Sequence, residues 1–490
     1  MRDIKYSIMR YSICLFISTF FLCGCHSKSS SSKENDVSNV PLRQSTEVLK
    51  PLKKGIVIDS VVCADDSSQI YAVYLPTKYD TTKKWPIIYF FDPHGVGNLP
   101  VKLYKDLAEK YGFILAGTYN SKNGMPFDVS DKAAQALMKD TWLRLSLDSK
   151  RLYTFGFSGG AKVASMVAIS DGGIAGVVAC GGGFPEEHPP LKQSFSFISF
   201  VGDEDFNNMT VRQLDKLLDS TSLAHQLIVF HGKHQWSPVS YIEQAFQWLD
   251  ADAMRMKTMP KNDSIIKSIK EGFLKEAADY HQEKNMVEEY YTYKKLLNFL
   301  RDLDDMGKYA DKVHQLENSP VLEKYFNDEA TFEAQEAQEF LEFRAHLSKM
   351  DQAWWNNKVS IMKKLIERDS VSPVGLQTQR MLSYLSLVMY MGASNELNTH
   401  NYAGASYFNG LYAMVDPENP EHSYLSACLD MTDNNSSKAL QMLHEAVKLG
   451  FSDSRRLEQD STFASLHNAP EYKRLLKEMA SKPEQLDMTK

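Results

Sequence analysis

From about Lys54 to Met254 short apolar runs alternate with helix-spaced stripes, and after Met254 the strand-like runs stop. That switch constrains the fold more than any other feature of the chain. "GIVIDSVVC" and "QIYAVYLP" read as an opening antiparallel pair. "PIIYFF" is continuously apolar, as expected of a strand covered on both faces. A helix with Leu99, Leu103 and Leu107 on one stripe follows, closed by Gly112. Then come "FILAGTY" (strand), "DKAAQALMKDTWLRL" (helix), "RLYTF" (strand) and "AKVASMVAIS", a helix with Ala161, Ala164, Val167 and Ala168 on one face. "IAGVVAC", "FSFISFV" and "HQLIVF" are further strands, with the helix "TVRQLDKLLDS" between the last two. A final helix opens at Ser237-Pro238 as N-cap and first residue and buries Ile242, Ala245, Phe246 and Leu249. Strands alternating with helices predict an α/β domain over residues 54–254, with a doubly wound, mostly parallel sheet.

Residues 255–490 read as a second, all-α domain, charged and rich in Tyr, Leu and Met. Near its end a period appears: Ala405 and Ala439 lie 34 residues apart, and Asp416-Pro417 sits one period before Gly450-Phe451. Ala439, Leu443 and Ala446 match the small–large–small stripe of a tetratricopeptide second helix, and "NYAGASYFNGLYAMVDPENP" looks like the same helix one unit earlier. A tetratricopeptide-like helical repeat is the expectation, with an irregular bundle as the alternative. Upstream of Gly375 no repeat register can be placed, and Trp354-Trp355 reads as packing. The switch near Lys257 also predicts that a fragment ending near Pro260 folds alone.

A chain of 490 residues has room for two such domains. Its net charge of −7, with no long basic run, argues against a nucleic-acid partner. Arg2, Lys5 and Arg10 precede an apolar run from Tyr11 to Leu22, which ends in Cys23-Gly24-Cys25. The run is short of the roughly 20 residues that span a bilayer but suits a secretory signal. Its Leu-x-Gly-Cys ending resembles the lipobox of bacterial lipoproteins. The resemblance implies that residues 1–25 are a lipoprotein signal, cleaved before Cys25, and that the Cys25 thiol is diacylated. Such a protein is tethered to the outer membrane of the bacterial cell envelope, facing the periplasm or the cell surface. An uncleaved anchor is the alternative. Residues 26–53, with "HSKSSSSKENDVSN", then form a polar tether. Cys63, Cys180 and Cys428 cannot all pair within one chain, so they read as buried hydrophobes rather than a disulfide framework.

Between "RLYTF" and "AKVASMVAIS" stands Gly156-Phe157-Ser158-Gly159-Gly160. A G-x-S-x-G pentapeptide arises by chance in a chain this long with odds on the order of one in ten, so its setting matters more. Strand, tight turn and helix are what a nucleophile elbow requires. Phosphate-binding readings fail, because G-x-G-x-x-G is absent and the P-loop pattern breaks at Ala161 and Val163. A serine nucleophile needs a base, an acid that orients the base, and donors for the oxyanion. After "FSFISFV" the turn holds Asp203, Glu204 and Asp205, and after "HQLIVF" the loop holds His231 and His234. Nucleophile, acid and base thus follow in the α/β-hydrolase order, each in the required loop.

G-F-S-G-G, G-D-E-D-F-N and G-K-H-Q-W together make residues 54–254 resemble an α/β-hydrolase of the secreted esterase type, near polyhydroxybutyrate depolymerases and feruloyl or acetyl-xylan esterases. The resemblance implies Ser158 as nucleophile, Asp205 as acid and His234 as base. Asp203 is alternatively a turn former. His231 lies at the strand tip, whereas His234 lies past Gly232 in a loop free to curl toward Ser158. Gly159 is expected to give one oxyanion N–H. The "DPHGVG" loop is expected to give the second, from His94, Gly95 or Val96, since Pro93 has no N–H. His94 either lines the acyl site or fills a turn, and Asn120–Gly124 either contacts substrate or is a surface turn. No cofactor or metal is implied: H-E-x-x-H and clustered Cys/His are absent from the sequence. The first functional expectation is a serine esterase acting on a small-molecule or glycan-borne ester, with a protein partner or substrate polymer on the repeats. The alternatives are a lipid-anchored scaffold with a vestigial or sensing hydrolase domain, and a serine peptidase.

Overall fold

A computed structural model of the protein describes residues 50–481 except 171, 189, 192, 193, 348 and 350. The signal, Cys25 and nearly all of the tether therefore lie outside the described residues. The sheet half runs β1 (Val57–Val62), β2 (Ile70–Tyr74), β3 (Trp85–Phe91), α1 (Asn98–Tyr111), β4 (Ile114–Thr118), α2 (Phe127–Arg144), β5 (Leu147–Phe157), α3 (Gly159–Ser170), β6 (Ile174–Cys180), β7 (Ser196–Gly202), α4 (Asn208–Leu218), β8 (His225–Phe230) and α5 (Val239–Arg255). Eight strands form one sheet in the order β1-β2-β4-β3-β5-β6-β7-β8. β1 is antiparallel to β2, and β2 to β4; every other pairing is parallel. This is the α/β-hydrolase arrangement, followed by a large all-helical region. Parallel neighbours need long crossovers, and α1, α2, α3 and α4 supply them. Between β6 and β7 the described residues contain no helix.

β3, read as a continuous apolar run, is buried from Pro86 to Phe91, and Ile88, Phe90, Phe155 and Ile198 lie within one cluster. Tyr104 of α1 stacks on Phe155 with ring centres 5.5 Å apart, and Trp236 meets the edge of the same ring at 5.4 Å. α1 ends at Gly112, whose φ of 73° lets its N–H reach the Ala108 carbonyl. α5 begins one residue later than the Ser237-Pro238 pair suggests. Pro238 is its N-cap residue with no side-chain cap, and Ser237 instead accepts the Tyr104 hydroxyl on its backbone carbonyl at 2.8 Å.

The apolar core does not stop at Met254. α6 (Asp263–Gln282) and α7 (Met286–Phe299) follow α5 and add Ile266, Ile269, Phe273, Leu296 and Phe299 to the cluster beneath the sheet. Phe299 meets Trp248 of α5 at 5.2 Å and Phe273 of α6 at 4.9 Å. Polar ties accompany this contact: Arg255 Nη1 donates to the Phe299 carbonyl at 2.8 Å and Asn298 Nδ2 to the His225 carbonyl at 2.6 Å. The described residues from Lys53 onward form one compact unit.

Beyond lie α8 (Gly307–Glu317), α9 (Pro320–Leu347), α10 (Gln352–Arg368), α11 (Pro373–Asn398), α12 (Tyr402–Val415), α13 (Pro420–Thr432) and α14 (Ser436–Lys448). Three helical hairpins, α6–α7, α11–α12 and α13–α14, share one turn. Lys284, His400 and Asn434 take the left-handed conformation, with φ of 57°, 61° and 59°. The asparagine that follows each of them, Asn285, Asn401 or Asn435, donates its N–H to the carbonyl five residues back, closing the first helix. Its side-chain oxygen then caps the second helix, accepting from Glu288, Gly404 or Lys438 N–H at 3.2–3.3 Å. The last two turns repeat at the 34-residue spacing visible in sequence. The first lies upstream, where sequence offers no register.

Candidate active site

β5 ends at Phe157 and α3 begins at Gly159, leaving Ser158 alone at the turn with φ of 53°. A serine held there is strained, as a nucleophile elbow demands. Its N–H is anchored to the Cys180 carbonyl at 2.8 Å. The flanking glycines are steric necessities: a Cβ on Gly156 would lie 2.0 Å from the Gly160 oxygen, and one on Gly160 would lie 2.0 Å from the Phe91 oxygen.

Ser158, His234 and Asp205 converge at this turn. Ser158 Oγ lies 2.9 Å from His234 Nε2, and His234 Nδ1 lies 2.9 and 3.0 Å from the two Asp205 carboxylate oxygens. Asp205 is fully buried and also accepts the Asn207 N–H at 2.8 Å. With a carboxylate as its partner, Nδ1 is the donor, so Nε2 carries the lone pair and accepts the serine proton. The imidazole is held between Phe206, at 4.1 Å between ring centres, and Phe157, at 4.7 Å.

Asp203 and His231 pair with each other instead. Asp203 accepts His231 Nδ1 at 2.6 Å and the Gly232 N–H at 3.0 Å, clamping the end of β8. The His231 side chain is 92% exposed. Glu204 donates its N–H to the Gly232 carbonyl at 3.0 Å, and burial raises its carboxyl above the ordinary carboxylate range.

The Gly159 N–H, at the positive end of α3, has no hydrogen-bond partner among the described residues. The expected second donor is placed differently. His94 and Val96 N–H groups both donate to Asp92 Oδ1, at 2.9 and 3.0 Å, and the Gly95 N–H donates to the Asp92 carbonyl at 3.1 Å. All three candidate N–H groups are committed to Asp92, because the loop curls around this nearly buried carboxylate. Its other oxygen accepts Trp236 Nε1 at 3.1 Å, which ties the loop after β3 to the segment carrying His234. Burial pushes the Asp92 carboxyl upward, against the pull of the Val96, His94 and Trp236 donors. Asp92 and Trp236 are site residues that the sequence does not single out, and the Asp-Pro of "DPHGVG" and the tryptophan of G-K-H-Q-W are the signals that could have found them. The His94 side chain is exposed.

The segment Asn120–Gly124 divides by role. Asn120 braces β2, accepting the Ile70 N–H at 2.8 Å and donating to the Ser68 carbonyl at 2.9 Å. Ser121 bonds Ser130 at 3.0 Å. The Asn123 N–H donates to the Pro93 carbonyl at 2.7 Å, which docks this segment on the loop after β3. The helical half reaches the acid turn as well: Arg380 Nη1 of α11 donates to the Asp203 carbonyl at 3.1 Å, while its Nη2 pairs with Glu336 of α9 at 2.7 Å. Among the described residues no group of His, Cys, Asp and Glu is arranged to hold a metal ion. Cys63, Cys180 and Cys428 are buried free thiols, and burial raises Cys63 and Cys428 to about 12.

No family model and no curated protein matches this chain. Among solved structures, an S-formylglutathione hydrolase from Staphylococcus aureus is similar at 12% identity, over 41% of this chain and 99% of that one, with a TM-score of 0.33. An esterase from Pyrobaculum calidifontis is similar at 12% identity, over 41% and 87% of the two chains, with a TM-score of 0.34. The feruloyl esterase module from Clostridium thermocellum is similar at 17% identity, over 44% and 95%, with a TM-score of 0.33.

Proposed function

We propose that this protein is a lipid-anchored serine hydrolase of the bacterial cell envelope that cleaves carboxylic esters through an acyl-enzyme. The observation that carries this reading is the unbroken relay from Ser158 through His234 to the buried Asp205, with each contact within hydrogen-bond length. Ser158 Oγ attacks the ester carbonyl carbon as its proton passes to His234 Nε2. The carbonyl electron pair moves to oxygen, and collapse of that oxyanion expels the alcohol, which takes the proton back. Water repeats the sequence on the acyl-enzyme. Asp205 holds the ring in the tautomer that accepts and stabilises the imidazolium. Such a relay is what a vestigial domain has no reason to retain, which favours an enzyme over a scaffold. The substrate in this reading is a small-molecule or glycan-borne ester, Cys25 carries the anchor, and the tetratricopeptide-like hairpins from α11 onward dock a partner or the substrate polymer.

One experiment tests anchor and chemistry together. A fluorophosphonate probe applied to cell fractions is expected to label wild-type protein in the membrane fraction and to leave Ser158→Ala unlabelled. Cys25→Ala is expected to be labelled but to leave the membrane fraction. No labelling of folded wild-type protein would overturn the hydrolase reading, and a processed Cys25→Ala protein that stays on membranes would overturn the anchor. Purified protein assayed on acetyl, feruloyl, long-chain and peptide substrates then assigns the acyl group.

A further inference from the structure

An acyl-transfer site needs two donors aimed at the oxyanion, and the Gly159 N–H, with no partner among the described residues, is placed to be one of them. The three loop N–H groups that could provide the second are committed to Asp92. A side-chain amide also lies against the elbow. The Asn123 side chain rests on Gly159 so closely that a Cβ there would lie 1.9 Å from Oδ1, 2.9 Å from Cγ and 3.4 Å from Nδ2. An elbow ordinarily tolerates a side chain at that position; here the asparagine amide takes its place. Asn120 and Ser121 of the same segment spend their side chains on the fold. The Asn123 amide makes no hydrogen bond to the described residues, and its backbone is held by the Pro93 carbonyl at 2.7 Å.

We propose that the Asn123 side-chain amide is the second oxyanion donor, acting beside the Gly159 N–H. The inference rests on the reading of Ser158 as nucleophile. An amide that lies on the elbow, free of other partners and fixed at its backbone, turns about its last bond to offer Nδ2 to the oxygen that becomes charged as Ser158 Oγ adds to the carbonyl. It also accounts for Gly159: a methyl there would displace the donor. Removing one side-chain oxyanion donor costs about a hundredfold to a thousandfold in kcat.

The test uses the full chain and 4-nitrophenyl acetate. Asn123→Ala and Asn123→Asp, the second close in size but unable to donate when ionised, are each expected to lower kcat by about a hundredfold or more. KM should change by less than about threefold, because the charge is absent in the ground state. Gly159→Ala should show a similar loss, and the Gly159→Ala/Asn123→Ala double variant should be little worse than Asn123→Ala, since both act on one donor. Asn123 is exposed, so circular dichroism should report an intact fold. Wild-type kcat in Asn123→Asp, or a change in KM alone, would overturn the assignment while leaving the serine mechanism standing. A wild-type protein that neither hydrolyses the ester nor reacts with fluorophosphonate would overturn the site reading, and Asn123 with it.

Discussion

His231 and His234 stand three residues apart and meet different acids. His231 faces solvent and closes on Asp203, whereas His234 is packed between Phe157 and Phe206 with Ser158 on one nitrogen and Asp205 on the other. Only the second histidine is placed to take the serine proton. Ser158→Ala and His234→Ala are each expected to reduce kcat/KM on an activated short-chain ester by roughly a thousandfold or more. His231→Ala should cost only a few-fold, through a looser β8 end. The Ser158→Ala/His234→Ala protein should be little worse than either single variant, because the groups act as a unit. Steady-state kinetics with circular dichroism on all four variants decides it. Near-wild-type turnover in folded His234→Ala would remove His234 from the mechanism.

At the scale of elements, α5 shows how far burial overrides a residue's usual place. From Trp248 to Met254 every residue of this helix is buried, including Asp250 and Asp252. Asp252 meets Arg255, but burial pushes the Asp250 carboxyl up to about 7, against the pull of Arg151. A carboxyl raised on folding binds its proton more tightly in the native state. The stability it contributes is fully present below the unfolded value near 3.8 and is lost as pH rises through about 7. Asp250→Asn cannot ionise. Its unfolding free energy from urea titration, relative to wild type, is therefore expected to rise between pH 5 and pH 8.5 by on the order of a few kcal/mol. Other titrating groups cancel in that comparison, and a pH-independent difference would show that Asp250 does not titrate on unfolding.

At the scale of the whole molecule, the two halves share a core. Trp248, Phe273 and Phe299 meet across the boundary expected near Met254, and Arg255 donates to the Phe299 carbonyl. A chain cut after Pro260 loses the α6–α7 hairpin and exposes the Trp248 face of α5. It also loses Arg380, which holds the Asp203 carbonyl of the acid turn, and the Arg212–Glu329 contact at 3.1 Å between α4 and α9. These shared contacts lead us to expect that such a fragment does not stand alone. It should unfold at a lower urea concentration than the full chain, or aggregate, and its ester turnover should fall with it. A fragment 53–260 that unfolds cooperatively near the full-chain midpoint would show that the hairpin only decorates the sheet half.

Over residues 54–254 the element order, the sheet class, the tight turn at Ser158 and the loops that hold Asp203, Asp205, His231 and His234 are legible in the sequence. These are local properties: apolar period, glycine at a tight turn and chain order are set within a few residues and survive without knowledge of the rest. The resemblance named Asp205 and His234, but no spacing separates Asp203 from Asp205, and their pairing is a through-space matter. Ser158 and His234 are 76 residues apart in the chain, and His234 and Asp205 are 29. The tertiary structure alone decided that Asp92 takes the N–H groups of His94, Gly95 and Val96, that Asn123 rests on Gly159, and that the core runs on into α7. Each of these depends on which surfaces meet. An amphipathic stripe or an unpaired amide records in sequence that it needs a partner, and only packing selects which one.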